Sequence, residues 1–79
     1  MYVTWRPKAR DQLENLDNSI RERIKKKVNE LINNPSHYSE RLVGIDLFKL
    51  RIGDYRVLYR IDNDELLIEA VGHRSTVYK

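Results

Sequence analysis

Four cations stand at even spacings on either side of one short turn in this chain: Lys49 and Arg51 before it, Arg56 and Arg60 after it. On an extended backbone, side chains two or four residues apart leave the same face. If Gly53-Asp54 closes a two-residue turn, Ile52 faces Tyr55, Arg51 faces Arg56, Leu50 faces Val57, Lys49 faces Leu58 and Phe48 faces Tyr59. Arg51 directly opposite Arg56 is unfavourable for a sheet by itself, because like charges across a pair repel. A chain that keeps such a pair points to a bound anion, since local rules tend to fail at functional sites. The alternative is a solvated face with Glu69 as partial counter-charge. Further along come His73, Arg74 and Tyr78. His73 is the side chain best suited to moving a proton near neutral pH, and it reads equally well as a turn residue after Gly72.

The elements that must position these groups follow from periodicity. Tyr2 to Trp5 is a short apolar and β-branched run, a first strand, with Trp5 packing into the core. Pro7 suits a helix's first turn, and Ala9, Leu13 and Leu16 form one stripe, which predicts a helix over Pro7 to Leu16. Ser19 with Glu22 matches a capping box for a second helix. Ile20, Ile24, Val28, Leu31 and Ile32 carry its stripe, and Asn33-Asn34-Pro35 ends it. Its Arg21 to Lys27 run reads as a solvated face, with a contact to a polyanion or to the acidic part of a partner as the other reading. Ser36 to Asp46, with Gly44, reads as a polar loop in which His37 and Tyr38 receive no role.

From Leu47 the period becomes two. Leu47–Ile52, Tyr55–Asp62 and Glu65–Val71 are expected strands, and Asn63-Asp64 a second tight turn. One sheet face should carry Phe48, Leu50, Ile52, Tyr55, Val57, Tyr59, Ile61, Leu66, Ile68 and Ala70 as the core. The other should carry Lys49, Arg51, Arg56 and Arg60, with Leu67, Glu69 and Val71 beside them. The expected fold is α+β, β-α-α-β-β-β, with the N-terminal strand and a two-helix hairpin packed on one face of a mainly antiparallel sheet.

Composition narrows the chemistry. Seventy-nine residues make one domain, 1–79, with one core. A chain of this size buries only about 60% of its unfolded surface. There is no cysteine and there are two histidines, so neither a disulfide nor a structural zinc site is expected, and the lack of cysteine fits a reducing cytoplasm. No run approaches a membrane span, and residues 1–7 hold no signal-peptide hydrophobic region. Fifteen Lys/Arg against twelve Asp/Glu give a formal charge of +3, compatible with a polyanion partner.

The hairpin Phe48-Lys49-Leu50-Arg51-Ile52-Gly53-Asp54-Tyr55-Arg56-Val57-Leu58-Tyr59 is similar to the central hairpin of RelE/ParE-superfamily toxins. The ending Val71-Gly72-His73-Arg74-Ser75-Thr76-Val77-Tyr78 is similar to their closing strand and tail. With Trp5-Arg6-Pro7-Lys8-Ala9 and the second helix, the resemblance spans nearly the whole chain. It implies a small cytoplasmic RelE-like toxin neutralised by a cognate antitoxin. RelE-type members cleave mRNA in the ribosomal A site, whereas ParE-type members inhibit DNA gyrase. The resemblance therefore implies a ribosome-dependent mRNA endonuclease, with a gyrase inhibitor without nuclease activity as the alternative and a degenerate binding-only relative as a third reading.

For RelE-type chemistry the resemblance assigns Lys49, Arg56, Arg74 and Tyr78 to catalysis. His73, the side chain best tuned to neutral pH, is the rival acid or base, and Arg51 and Arg60, on the same strand face, are expected to bind RNA phosphates. Leu47 stands where some relatives carry a second active-site lysine, and the C-terminal helix of some relatives is not expected. No metal or cofactor is needed. The 2′-hydroxyl attacks the adjacent phosphate, a base takes its proton, cations hold the added charge, and the 5′-oxygen leaves. Lys49 becomes a base only if the nearby Arg51 and Arg56 disfavour its charged form. Arg56 and Arg74 suit the phosphate, and Tyr78 suits base stacking or proton transfer.

Overall fold

A computed structural model describes residues 1–34, 39–41 (backbone only) and 47–78. The elements run β1 (Tyr2–Trp5), α1 (Pro7–Glu14), α2 (Asn18–Asn33), β2 (Ser39–Arg41), β3 (Phe48–Ile52), β4 (Tyr55–Asp62) and β5 (Glu65–His73). Hydrogen bonding orders the sheet β1-β5-β4-β3-β2. Only the β1–β5 pair is parallel. The α+β architecture matches the expectation, including the β3–β4 register from Phe48↔Tyr59 to Ile52↔Tyr55. Among the described residues, no helix is long and apolar enough to cross a membrane.

Both helices place their stripes on one face. Ala9 and Leu13 of α1 and Ile24, Val28 and Leu31 of α2 join Leu50, Ile52, Val57, Tyr59, Leu66, Ile68 and Val71 of the sheet in one core, with Leu16, Ile20 and Trp5 packed at its margin. Phe48 stacks on its ladder partner Tyr59 with ring centroids 5.4 Å apart.

Local departures have local causes. α1 ends at Glu14 rather than Leu16: the Asn15 N–H makes the last i→i−4 bond, to Asp11 O, and the Leu16 N–H turns to Leu13 O in a tighter i→i−3 bond. The expected Ser19–Glu22 capping box does not form. Asp17 is the N-cap, the helix starts at Asn18, Ser19 lies inside it, and no side chain caps it. Glu22 instead pairs with Lys25. Within the stretch read as a loop, Ser39–Arg41 adds a three-residue edge strand, paired to β3 from Ser39↔Leu50 to Arg41↔Phe48. A polar edge strand this short shows no alternation for a sequence pattern to register. Pro35, His37, Tyr38 and Gly44 lie outside the described residues.

The largest correction is a phase change in β5. The ladder passes from Tyr59↔Ile68 to Leu58↔Ala70, so Glu69 is an extra residue with no opposite number, a β-bulge. Beyond it the alternation inverts. Val71, expected outside, is 1% exposed in the main core. Ala70, expected inside, joins Leu58 and Val77 in a second small cluster. Ile61 also differs from expectation, exposed toward the end of its strand. The Val71 N–H, past the end of β1, is taken up by Gln12 Oε1 of α1 at 2.8 Å.

Candidate functional site

The β3–β4 turn is the pivot of the cationic face. Gly53 has φ 58, a left-handed conformation that glycine adopts without penalty. At the turn Arg56 Nη1 donates to the Gly53 and Tyr55 carbonyls, both at 2.8 Å. Those two bonds reconcile a guanidinium with being only 8% exposed. They leave Nε and Nη2 without a hydrogen-bond partner among the described residues. The ladder partners of Arg56 are Arg51 on one side and Gly72 on the other. Lys49 is half-buried, two residues before Arg51 and opposite Leu58.

After β5 the chain turns back. The Thr76 and Val77 N–H groups both donate to His73 O, at 3.0 and 2.9 Å. Val77 then docks on Leu58 and Ala70. Because Leu58 is the partner of Lys49, this plug carries Tyr78, half exposed, onto the Lys49 side of the sheet. Asp54 fixes the start of the tail: the Arg74 N–H donates to Asp54 O at 2.8 Å, and Arg74 Nε lies 3.7 Å from Asp54 Oδ1. The Arg74 side chain stays 63% exposed, so the ion pair is loose and the guanidinium remains open to an incoming anion.

His73 serves the turn. Its Nδ1 accepts from the Ser75 N–H at 3.1 Å and lies 2.8 Å from Ser75 Oγ. That arrangement puts the ring proton on Nε2. The ring meets Tyr55 edge-on with centroids 5.6 Å apart.

Lys49, Arg51, Arg56, Arg74 and Tyr78 therefore share one end of the outer face. Arg60 does not join them. Its Nε lies 3.4 Å from Glu69 Oε2, which also accepts from Arg6 Nε at 3.4 Å. Asp62 lines the same cleft, so two arginines there are balanced by two carboxylates. Sequence reasoning missed Asp54 and Val77, the residues that hold the tail in place. Neither belongs to a recognisable spacing, since each acts through a contact made only after the chain reverses.

The arrangement can bind an oxyanion between Arg56 and Arg74 and set a lysine and a phenol beside it. Comparison with known proteins agrees in fold and family. The family model described as ParE toxin of the type II toxin–antitoxin system, parDE, matches residues 3–78. A putative RelE-like toxin protein of Escherichia coli is 32% identical over 83 residues, covering 96% of this chain and 87% of the relative. The toxin–antitoxin complex RelBE2 of Mycobacterium tuberculosis contains a chain 29% identical at TM-score 0.85, covering 92% of this chain and 96% of that one. The intact RelBE complex of Escherichia coli shares the fold at TM-score 0.81 and 23% identity, with 91% and 94% of the two chains covered.

Proposed function

This chain belongs to the ParE toxin family of type II toxin–antitoxin systems, within the RelE/ParE superfamily, and we propose that it is an mRNA endonuclease that acts in the ribosomal A site. The observation that carries this reading is the pair Arg56 and Arg74, brought to the same turn from β4 and the tail with Lys49 and Tyr78 on the same face. Guanidinium matches phosphate oxygens two at a time. Arg56, anchored through Nη1, presents Nε and Nη2, and Arg74 closes from the exposed side. Lys49 accepts the 2′-hydroxyl proton as that oxygen attacks phosphorus. The bond to the 5′-oxygen then breaks, that oxygen takes a proton from water, and a cyclic phosphate and a new 5′-hydroxyl end are left. Tyr78 stacks on a base beside the scissile bond and hydrogen-bonds the phosphate. The ribosome supplies the mRNA geometry, so the toxin itself need not enclose its substrate. In the cytoplasm a cognate antitoxin holds the protein inactive. Supporting this, the relatives solved as complexes are toxin–antitoxin pairs.

A second reading, a gyrase inhibitor without nuclease activity, is favoured by the family model's own description as a ParE toxin. Primer extension on mRNA from expressing cells separates the two. New 5′ ends within translated codons are expected, lost on Arg74→Ala, which should slow cleavage of programmed ribosomes by about 100-fold, as for removal of a preorganised donor. Growth arrest without such ends, and with gyrase-dependent DNA breaks, would overturn the nuclease reading.

A further inference from the structure

The β3–β4 turn is also approached from the helical layer. Arg23, exposed on α2, lies against Gly53: a Cβ added there would sit 3.2 Å from its Nη1, 3.4 Å from Nη2 and 3.6 Å from Cζ. The guanidinium thus lies across the glycine, which supplies room as well as a positive φ. No hydrogen bond or ion pair commits Arg23 among the described residues. The acids nearest in sequence and in the turn are engaged elsewhere, Glu22 with Lys25 and Asp54 with Arg74. Arg56 Nη1 meets the same glycine through its carbonyl. Summing these contacts with the glycine's own bonds puts the two guanidiniums within about 10 Å of each other.

Arg56 comes from the outer face and Arg23 from the helical layer, so together they straddle the end of the sheet. None of the described residues uses Arg23's donors, yet a long flexible side chain is laid over a turn at a cost in rotamer freedom. We infer that Arg23 is a second phosphate contact, holding an RNA backbone where it rounds the β3–β4 turn a short way along the strand from the phosphate held by Arg56 and Arg74. This rests on the RNA reading above and extends it to a residue outside the catalytic set. The bound strand leaves the site toward α2, and its grip there is electrostatic and indifferent to sequence.

The test uses the full chain and a short, labelled single-stranded RNA whose 2′-hydroxyls are methylated, so that it binds without being cut. Affinity is measured by fluorescence anisotropy between about 50 and about 200 mM salt, where each phosphate contact to a single strand contributes about 0.7 to the slope of log K against log salt. Arg23→Gln should lower that slope by about 0.7, weaken binding roughly tenfold at low salt, and leave the melting temperature unchanged because the residue is exposed. Arg23→Lys should keep the slope and recover part of the affinity. If Arg23→Gln leaves slope and affinity as in the wild type while Arg74→Ala lowers both, Arg23 merely packs on Gly53 and the inference is wrong. A fall in melting temperature with unchanged binding would overturn it in the same way. If the wild type does not bind the RNA at any salt, the role of Arg23 fails, whereas the nuclease reading fails only if programmed ribosomes are left uncut as well.

Discussion

Arg56 and Arg74 meet the same turn in opposite conditions, one buried and bonded to carbonyls, the other open and loosely held by Asp54. A buried, tethered arginine is preorganised, which suits charge that develops late in a reaction. An exposed one suits capture. Under the proposed chemistry Lys49 is the better-placed base, because the Nδ1 of His73 is taken up by Ser75. On programmed ribosomes, Lys49→Ala should lower the single-turnover cleavage rate by about 100-fold. His73→Ala should lower it less and act mainly by loosening the tail turn. A deeper loss for His73→Ala would make His73 the base. In a companion pair, Tyr78→Phe should cost no more than about tenfold, the worth of one hydrogen bond to a charged group. Tyr78→Ala, which removes the ring, should cost more. Equal collapse of both would assign Tyr78 to proton transfer instead.

Among the elements, β5 does most to shape the site, and its bulge is the decisive detail. The extra residue at Glu69 turns Val71 inward and Ala70 outward, and the outward Ala70 gives Val77 a place to dock with Leu58. Gln12 completes the device by accepting the Val71 N–H where β1 no longer runs alongside. Gln12→Ala leaves that partly buried donor unpaired and should destabilise the fold by about 1–3 kcal/mol in urea denaturation. A neutral result would mean that water replaces the amide. The alternation of Phe48–Ile52 and Tyr55–Asp62, punctuated by Gly53-Asp54, makes the central register and the shared face of Lys49, Arg51 and Arg56 legible in the sequence. The bulge is not legible there. Leu66, Leu67, Ile68, Ala70 and Val71 are apolar in either phase, so no pattern marks the slip. Parity alone groups Arg60 with the other cations, and only the fold shows it drawn off to Glu69. Ser19 and Glu22 have the right spacing for a cap, but the N-cap is Asp17, two residues earlier.

At the scale of the whole molecule, the helices cover one sheet face, and the tail leaves the cationic end of the other open. A toxin with that exposed end needs a partner that covers it. If the proposed antitoxin folds over this surface, the complex should bury well over about 1,000 Å². Co-expression with the protein encoded beside it should then yield a co-purifying pair. The toxin's melting temperature should rise in the pair, because a partner that binds only the folded state stabilises it by mass action. Failure to co-purify would remove that partner from consideration. The parallel pairing of β1 with β5 sets a condition of a different kind, on timing. Tyr2–Trp5 has no strand to lie against until Glu65–Ile68 exists, and loop closure over that separation makes such pairings slow to form. Arg74 and Tyr78 lie beyond β5 again. During synthesis, then, the first strand waits for the last, and the cationic end is completed after the rest of the sheet. A half-made chain leaving the ribosome carries the parts of the cationic end and no assembled one, since Arg56 must wait for the segment that brings Arg74 to the same turn.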